Sequence, residues 1–98
     1  MKKNGRTDAV RLYEAILTLK NAEECQMFFE DLCTIKEIDD MTQRIEVAEM
    51  LNENKSYQEV AKTTGASTAT ICRVNKCLNY GSNGYKLVLE RMTDSENQ

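Results

Sequence analysis

Apolar residues recur at intervals of three and four along most of the chain, and no segment shows the strict alternation of a strand. The clearest segments are 8–20, 22–33 and 35–51, each with one apolar face of helical period. The third segment carries further apolar residues outside that face, at Val47 and Met50. Because a helix that is apolar over more than one face lies in the centre of a bundle or in a subunit interface, we predict a covered central helix.

Capping residues indicate where several helices begin. At three places a polar residue that can accept a backbone hydrogen bond is followed three positions later by glutamate, which is the spacing of a capping box. The pairs are Asn21 with Glu24, Thr34 with Glu37, and Ser56 with Glu59. They predict helix starts near residues 22, 35 and 57.

The second half of the chain predicts two short helices and a final amphipathic one. The helix that begins after Ser56 ends at Gly65, because glycine readily takes positive φ. Ser67 can then cap a helix that runs to about Leu78. A turn at 80–84 precedes the final helix.

Composition agrees with one small domain made of helices. The chain has 98 residues, of which 41% are apolar and 30% charged, and it contains no proline. A chain of this size buries only about 60–68% of the surface that it exposes when unfolded, so its core gains from a partner subunit. We therefore predict an all-α fold of about six helices, a single domain at 8–93 with flexible tails at 1–7 and 94–98, and a homodimer.

The stretch YQEVAKTTGASTATICRV has the residue order of a helix-turn-helix, which we place at 56–79. Val60 and Ala61 face inward on the first helix, Gly65 lies in the turn, and Ile71 and Val74 face inward on the second helix. A small residue is needed where steeply crossing helices approach each other, and glycine is favoured where φ is positive.

The outer side of this motif is suited to contact DNA. Small hydroxyl and methyl groups at the start of the second helix let it approach the floor of the major groove. The predicted DNA-binding residues are Gln58, Lys62, Ser67, Thr68, Ala69, Thr70, Arg73 and Lys76. The alternative is a tight helical corner at 62–73, whose small residues serve packing alone.

The charge distribution allows a double-stranded DNA partner despite a net charge of −3. Residues 22–54 hold two basic and ten acidic side chains, for a net charge of −8. Residues 55–91 hold six basic and two acidic side chains, for a net charge of +4. Because phosphates respond to the field within roughly a Debye length, the basic segment can form a binding surface of its own.

Other classes of function find little support in the sequence. Histidine is absent, and there is no glycine-rich phosphate loop, so we do not expect an enzyme. A zinc site would need thiolates from scattered positions, and the alternative is free thiols in a reducing compartment; the cysteines are Cys25, Cys33, Cys72 and Cys77. No apolar run approaches the roughly 20 residues of a membrane span, and no apolar region follows the basic start, so we predict a cytoplasmic protein without a membrane partner.

The segments TIKEIDDMTQRIEVAEML and KSYQEVAKTTGASTATICRVNKCLNYG resemble the tryptophan repressor superfamily, and more closely its YerC/YecD group. The resemblance extends from about Val10 to Met92, and GASTATICR followed by asparagine is its most specific part. It implies a six-helix subunit that forms an intertwined homodimer through its N-terminal and long central helices. It also implies a DNA-binding transcriptional regulator of the repressor type.

The same resemblance implies a corepressor slot between the long helix and the second helix of the motif. By position, the threonine and the two arginines that hold the corepressor in the tryptophan repressor match Thr34, Arg44 and Arg73. The planar fork of arginine suits a ligand carboxylate. Val74 stands where the tryptophan repressor has a glycine, so it should narrow or fill the slot. The corepressor therefore need not be tryptophan, and another small carboxylate is the alternative. No other cofactor is implied.

Two alternatives to these assignments stay open at the level of sequence. Arg44 and Arg73 can instead form structural ion pairs with Glu46 or Glu49, or Arg73 can contact a phosphate. The whole chain can also be a helical protein–protein interaction module, in which the acidic segment binds a basic partner and the helix-turn-helix is purely structural.

Overall fold

A computed structural model describes residues 2–3 and 6–96 of the chain, with side chains from residue 8 onward. Six helices account for most of this length, so the predicted all-α class is confirmed. They are α1 (Val10–Leu17), α2 (Ala22–Leu32), α3 (Ile35–Asn52), α4 (Tyr57–Thr64), α5 (Thr68–Tyr80) and α6 (Gly84–Glu96). No helix in the described part of the chain is long and apolar enough to cross a membrane.

The two predicted tails contain more regular structure than the sequence indicates. In the N-terminal segment, β1 (Lys2–Lys3) pairs antiparallel with β2 (Arg6–Thr7), a two-residue ladder that apolar patterning cannot predict. At the other end, α6 continues to Glu96, three residues beyond the predicted end of the domain at 93. Residues 1, 4, 5, 97 and 98, which also belong to the predicted flexible tails, lie outside the described residues.

The capping pairs mark helix starts as predicted, although they differ in detail. Thr34 Oγ1 accepts the Glu37 amide at 3.1 Å, and Glu37 Oε1 accepts the Thr34 amide at 2.8 Å, which completes a reciprocal box. Asn21 Oδ1 accepts the Glu24 amide at 2.8 Å. The Glu24 carboxylate, however, accepts the amide of Lys20 at 2.9 Å, so the start of α2 is capped without a standard box.

Helix α1 is shorter than the predicted segment 8–20. It begins at Val10, whose amide donates to Asp8 Oδ1 at 3.0 Å. It ends at Leu17, where Thr18 Oγ1 donates to the Ala15 carbonyl at 2.6 Å. The Ala15 carbonyl also accepts the Thr18 amide at 3.1 Å, so the hydroxyl adds a second donor at the C-terminus of the helix.

The chain divides into two compact units, residues 1–38 and 39–98. In the first unit, no residue of α1 or α2 is buried. Several large apolar side chains of this unit are exposed, among them Val10, Tyr13, Leu17, Met27, Leu32 and Ile35. The apolar residues of α1 and α2 are therefore exposed or only partly buried.

The second unit holds the hydrophobic core. The buried residues come from α3, α4, the turn after α4, α5 and α6, and they form one cluster: Val47, Ala48, Val60, Ala66, Ile71, Val74, Leu78 and Leu89. Met50, Leu51, Ala61 and Tyr85 pack against this cluster while remaining partly exposed. The core thus lies under the helix-turn-helix and joins it to the central helix.

Candidate nucleic-acid interface

Helices α4 and α5 and the three residues between them, 65–67, form the predicted helix-turn-helix. Helix α4 begins with a complete capping box, in which Ser56 Oγ accepts the Glu59 amide at 3.2 Å and Glu59 Oε1 accepts the Ser56 amide at 3.4 Å. Its C-cap is Gly65, which has φ of +74°. No atom lies within 4 Å of the place where a Cβ would stand on Gly65, so its left-handed backbone, rather than crowding, favours glycine.

Thr64 organises the turn between the two helices. Its hydroxyl donates to the Val60 carbonyl at 2.7 Å and accepts the Ala66 amide at 3.1 Å. Its own carbonyl accepts Nε2 of Gln43, on α3, at 3.1 Å. Sequence reasoning missed both Thr64 and Gln43, because side-chain contacts across 21 residues leave no periodic signal.

The first turn of α5 is fixed by Ser67 and Thr70. Ser67 Oγ accepts the Thr70 amide at 3.1 Å and donates to Thr70 Oγ1 at 3.1 Å. Thr70 is only partly exposed. Two of the predicted DNA-binding hydroxyls are therefore engaged in capping, whereas Thr68 and Ala69 are exposed at the helix start. Thr68 and Ala69 are thus the residues of this turn whose side chains are most accessible to a DNA base edge.

The rest of α5 has one buried and one exposed side. Ile71 and Val74 are each 1% exposed, in agreement with the prediction that they face inward. Cys72, Arg73 and Lys76 are exposed. On α4, Gln58 and Lys62 are exposed as well. The structure thus brings the predicted DNA-binding residues together on the two helices of one motif, with their cationic groups accessible to phosphates.

An open groove of about 290 Å³ with an acidic lining borders the end of α4. Glu46 and Glu49 contribute carboxylates from α3 and Glu53 contributes one from the turn after it, and the groove is also lined by Thr63 and Thr64 at the end of α4. These carboxylates repel phosphates, so this part of the surface is unfavourable for contact with DNA.

The residues of the implied corepressor slot occupy different environments. Thr34 belongs to the first unit and is exposed, and its carbonyl accepts the Ile38 amide at 3.1 Å within the helix start. Arg44 is partly exposed and Arg73 exposed, whereas Val74 belongs to the buried core. In the described part of the chain, no carboxylate lies within ion-pair distance of either arginine, which disfavours the alternative that they pair with Glu46 or Glu49.

The four cysteines are free thiols, with Cys25 and Cys33 partly exposed and Cys72 and Cys77 exposed. Across the described residues, no group of three or more cysteine, aspartate or glutamate side chains is arranged to hold a metal ion.

Comparison with known proteins assigns the family. The model of the family described as Trp repressor protein matches residues 8–93. The chain belongs to this Trp repressor family. The match covers both helices of the motif and the central helix, and the family consists of DNA-binding regulators and not of enzymes.

Relatives in the Trp repressor family match over most of their length. Uncharacterized protein YerC of Bacillus subtilis (strain 168) is 51% identical over 88 residues, which are 90% of this chain and 85% of the relative. A crystallised TrpR like protein from Eubacterium eligens ATCC 27750 is 55% identical, with a TM-score of 0.82 over 85% of this chain and 86% of the other. A second crystal structure, of a protein from Staphylococcus aureus, has a TM-score of 0.84 and 45% identity over 89% of each chain. These matches confirm the resemblance to the YerC group.

Proposed function

We propose that this protein is a sequence-specific, DNA-binding transcriptional regulator of the repressor type, which acts as a homodimer in the cytoplasm. The observation that carries the proposal is the division of α5 into a buried side and an exposed side. Ile71 and Val74 fix the helix to the core, while Thr68, Ala69 and Arg73 face solvent. A helix held in this way can enter the major groove with its N-terminal residues toward the base edges.

The first unit supports the homodimer. Its helices have no buried residue, and Leu17 is 83% and Ile35 80% exposed. Exposed apolar surface on this scale marks an interaction site. A second copy is a suitable partner because a regulator with one helix-turn-helix per subunit needs two, about one turn of DNA apart, to contact a palindromic site.

A small carboxylate corepressor is part of the proposal, and it need not be tryptophan. The support is that Arg44 and Arg73 lack carboxylate partners in the described residues, so their guanidinium groups are available to a ligand. Arg73 can contact a DNA phosphate instead. If it binds a ligand, DNA binding should depend on that ligand, whereas a phosphate contact requires no ligand.

The test is selection of fragments bound by the purified protein from a pool of genomic DNA, with and without L-tryptophan and a panel of small carboxylates. We expect specific fragments, an affinity that falls steeply with salt, and a dimer by sedimentation. The absence of any salt-sensitive DNA binding would refute the proposed function. Selection that is unchanged by every ligand would refute only the corepressor.

A substitution separates this function from a protein-interaction module. Thr68→Glu places a carboxylate on the exposed start of α5. The carboxylate is repelled by DNA phosphates but interacts favourably with the helix dipole. We expect loss of DNA binding with an intact dimer. Unchanged DNA binding in this variant would indicate that the motif is structural.

A further inference from the structure

The carbonyl of Thr64 needs a hydrogen-bond donor from outside its own helix. Thr64 is the last residue of α4, and the final carbonyls of an α-helix have no partner within that helix. Gln43 Nε2, on α3, donates to this carbonyl at 3.1 Å. The capping contacts described above join residues two to four apart, whereas this bond joins residues 21 apart in the chain.

Gln43 is well placed to hold the turn in a fixed position. It is partly buried, and it lies one helical turn before Val47, which is fully buried in the core. Helix α3 supplies Val47 and Ala48 to the core and is thus a firm support for the amide. A part-buried carbonyl that lost this donor would be left without a partner, which is unfavourable.

The contact is connected to α5 by a short series of hydrogen bonds. The Thr64 carbonyl accepts the side-chain amide of Gln43, and the Thr64 hydroxyl accepts the backbone amide of Ala66 at 3.1 Å. Ala66 is 6% exposed and packs in the core immediately before Ser67, the N-cap of α5. A displacement of Thr64 therefore changes the position from which α5 begins.

We propose that Gln43 is a positioning residue, which fixes the helix-turn-helix turn against α3 and so sets the geometry in which α5 meets DNA. Its effect on DNA affinity rests on the proposed function, whereas its effect on the turn does not. Gln43 contacts no DNA itself in this proposal and acts through Thr64 and Ala66.

The experiment compares two donor-free variants with one that keeps a donor. Gln43→Met has similar length without a donor, Gln43→Glu keeps the shape but replaces the donor with an acceptor, and Gln43→Lys retains a donor. The control is Gln26→Met, because the side-chain amide of Gln26 donates to Glu30 of its own helix, at 3.0 Å, and not to another element of the described structure. Circular dichroism establishes that each variant is folded before its affinity for DNA is measured.

Two measurements are made on the folded variants. We expect DNA affinity about tenfold weaker for Gln43→Met and Gln43→Glu, which is the upper range for loss of one hydrogen bond. Gln43→Lys should recover most of the lost DNA affinity. The salt dependence of binding is measured for this variant so that the effect of the added charge is accounted for. Amide hydrogen exchange should be faster at Ala66 in the two donor-free variants and unchanged at Val47, whereas Gln26→Met should match the wild type in both measurements.

The outcomes distinguish this proposal from the proposed function. If the wild-type protein binds no DNA, the proposed function fails, and exchange at Ala66 alone decides whether Gln43 positions the turn. If a folded donor-free variant has wild-type exchange at Ala66, Gln43 does not position the turn. Wild-type DNA affinity in that variant likewise overturns the link to DNA binding. Gln43→Glu preserves side-chain volume, so the test remains available if Gln43→Met does not fold.

Discussion

Ser67 and Thr70 hold the start of α5 through two contacts, in which Ser67 Oγ accepts the Thr70 amide and donates to the Thr70 hydroxyl, each at 3.1 Å. The two side chains therefore stabilise the start of the helix. They can contact DNA only through hydrogen-bonding capacity that the capping contacts do not use. The two roles can be separated by substitutions that preserve one and remove the other.

Ser67→Ala should lower the free energy of unfolding by about 1 kcal/mol, the usual cost of losing an N-cap. Ser67→Asp should keep most of the stability, because a carboxylate also accepts the Thr70 amide and interacts favourably with the helix dipole. Chemical denaturation measures both effects. Because the added charge faces the proposed DNA side, Ser67→Asp should still bind DNA more weakly than the wild type. Equal stability of Ser67→Ala and the wild type would show that the cap contributes nothing.

Substitution by alanine should lower the unfolding free energy more at the turn glycine than at a glycine of ordinary backbone conformation. Gly65 has φ of +74° and open space around its Cβ position, so Gly65→Ala tests backbone strain alone. We expect a loss of about 1 kcal/mol in unfolding free energy. The matched control is Gly84→Ala at the start of α6, where the Cβ position is also open and φ is not positive.

Gly84→Ala should be neutral or stabilising by a few tenths of a kcal/mol, because alanine restricts the unfolded chain. Thermal unfolding of the two variants beside the wild type gives the comparison. If both substitutions have the same effect, the left-handed conformation of Gly65 is not the reason for its presence.

The structural features that local chemistry decides agree with the sequence-based predictions. The helix starts at Ser56 and Ser67 and the end of α4 at Gly65 follow from capping and φ preferences that act over a few residues. The inward side chains of α5 follow from helical period. These features also define the exposed side of the motif, so most of the candidate DNA-binding residues could be predicted.

The contacts that the sequence did not predict depend on how helices cross, on side-chain rotamers, or on segments too short to show a pattern. The bond from Gln43 to Thr64 depends on how α3 crosses the turn, which no local pattern specifies. The engagement of Thr70 by Ser67 depends on which rotamer the cap adopts. The short β1–β2 ladder also escaped prediction, because two-residue strands have too few positions to show alternation.

The stability that the capping box at the start of α3 contributes should depend on pH, because Glu37 titrates. The amide of Thr34, and then its hydroxyl, hydrogen-bond to the Glu37 carboxylate and hold its pKa below the ordinary value. Because the folded-state pKa is lowered, the stabilisation is fully present above the unfolded-state pKa of about 4.3. It is lost as the pH falls through the lower folded-state pKa.

Glu37→Gln should therefore be less stable than the wild type at neutral pH, and the difference should narrow as the pH is lowered past 4. Denaturant unfolding at several pH values measures it, and nuclear magnetic resonance titration of the Glu37 carboxyl gives the pKa directly. Glu23→Gln is a suitable control, since Glu23 is an exposed carboxylate in the first turn of the neighbouring helix. A constant difference between Glu37→Gln and the wild type across this range would contradict the assignment.

Substitution of Val74 tests whether the proposed corepressor slot is available in this chain. Its side chain is 1% exposed and belongs to the core cluster, and in the proposed slot it would occupy volume that a ligand needs. Val74→Ala should lower the free energy of unfolding by roughly 2 kcal/mol, as expected when methyl groups are removed from a packed core. Val60→Ala, at an equally buried position on α4, should have a similar cost.

The ligand affinities of these two variants should differ although their stabilities are similar. If Val74 fills the slot, Val74→Ala should bind L-tryptophan more tightly than the wild type, whereas Val60→Ala should not. Isothermal calorimetry on folded protein measures both, and Arg73→Gln combined with Val74→Ala should remove the gain because the guanidinium partner of the carboxylate is lost. Tight tryptophan binding by the wild type would show that a valine at this position leaves the slot open. No gain in Val74→Ala would mean that something other than the Val74 side chain limits binding.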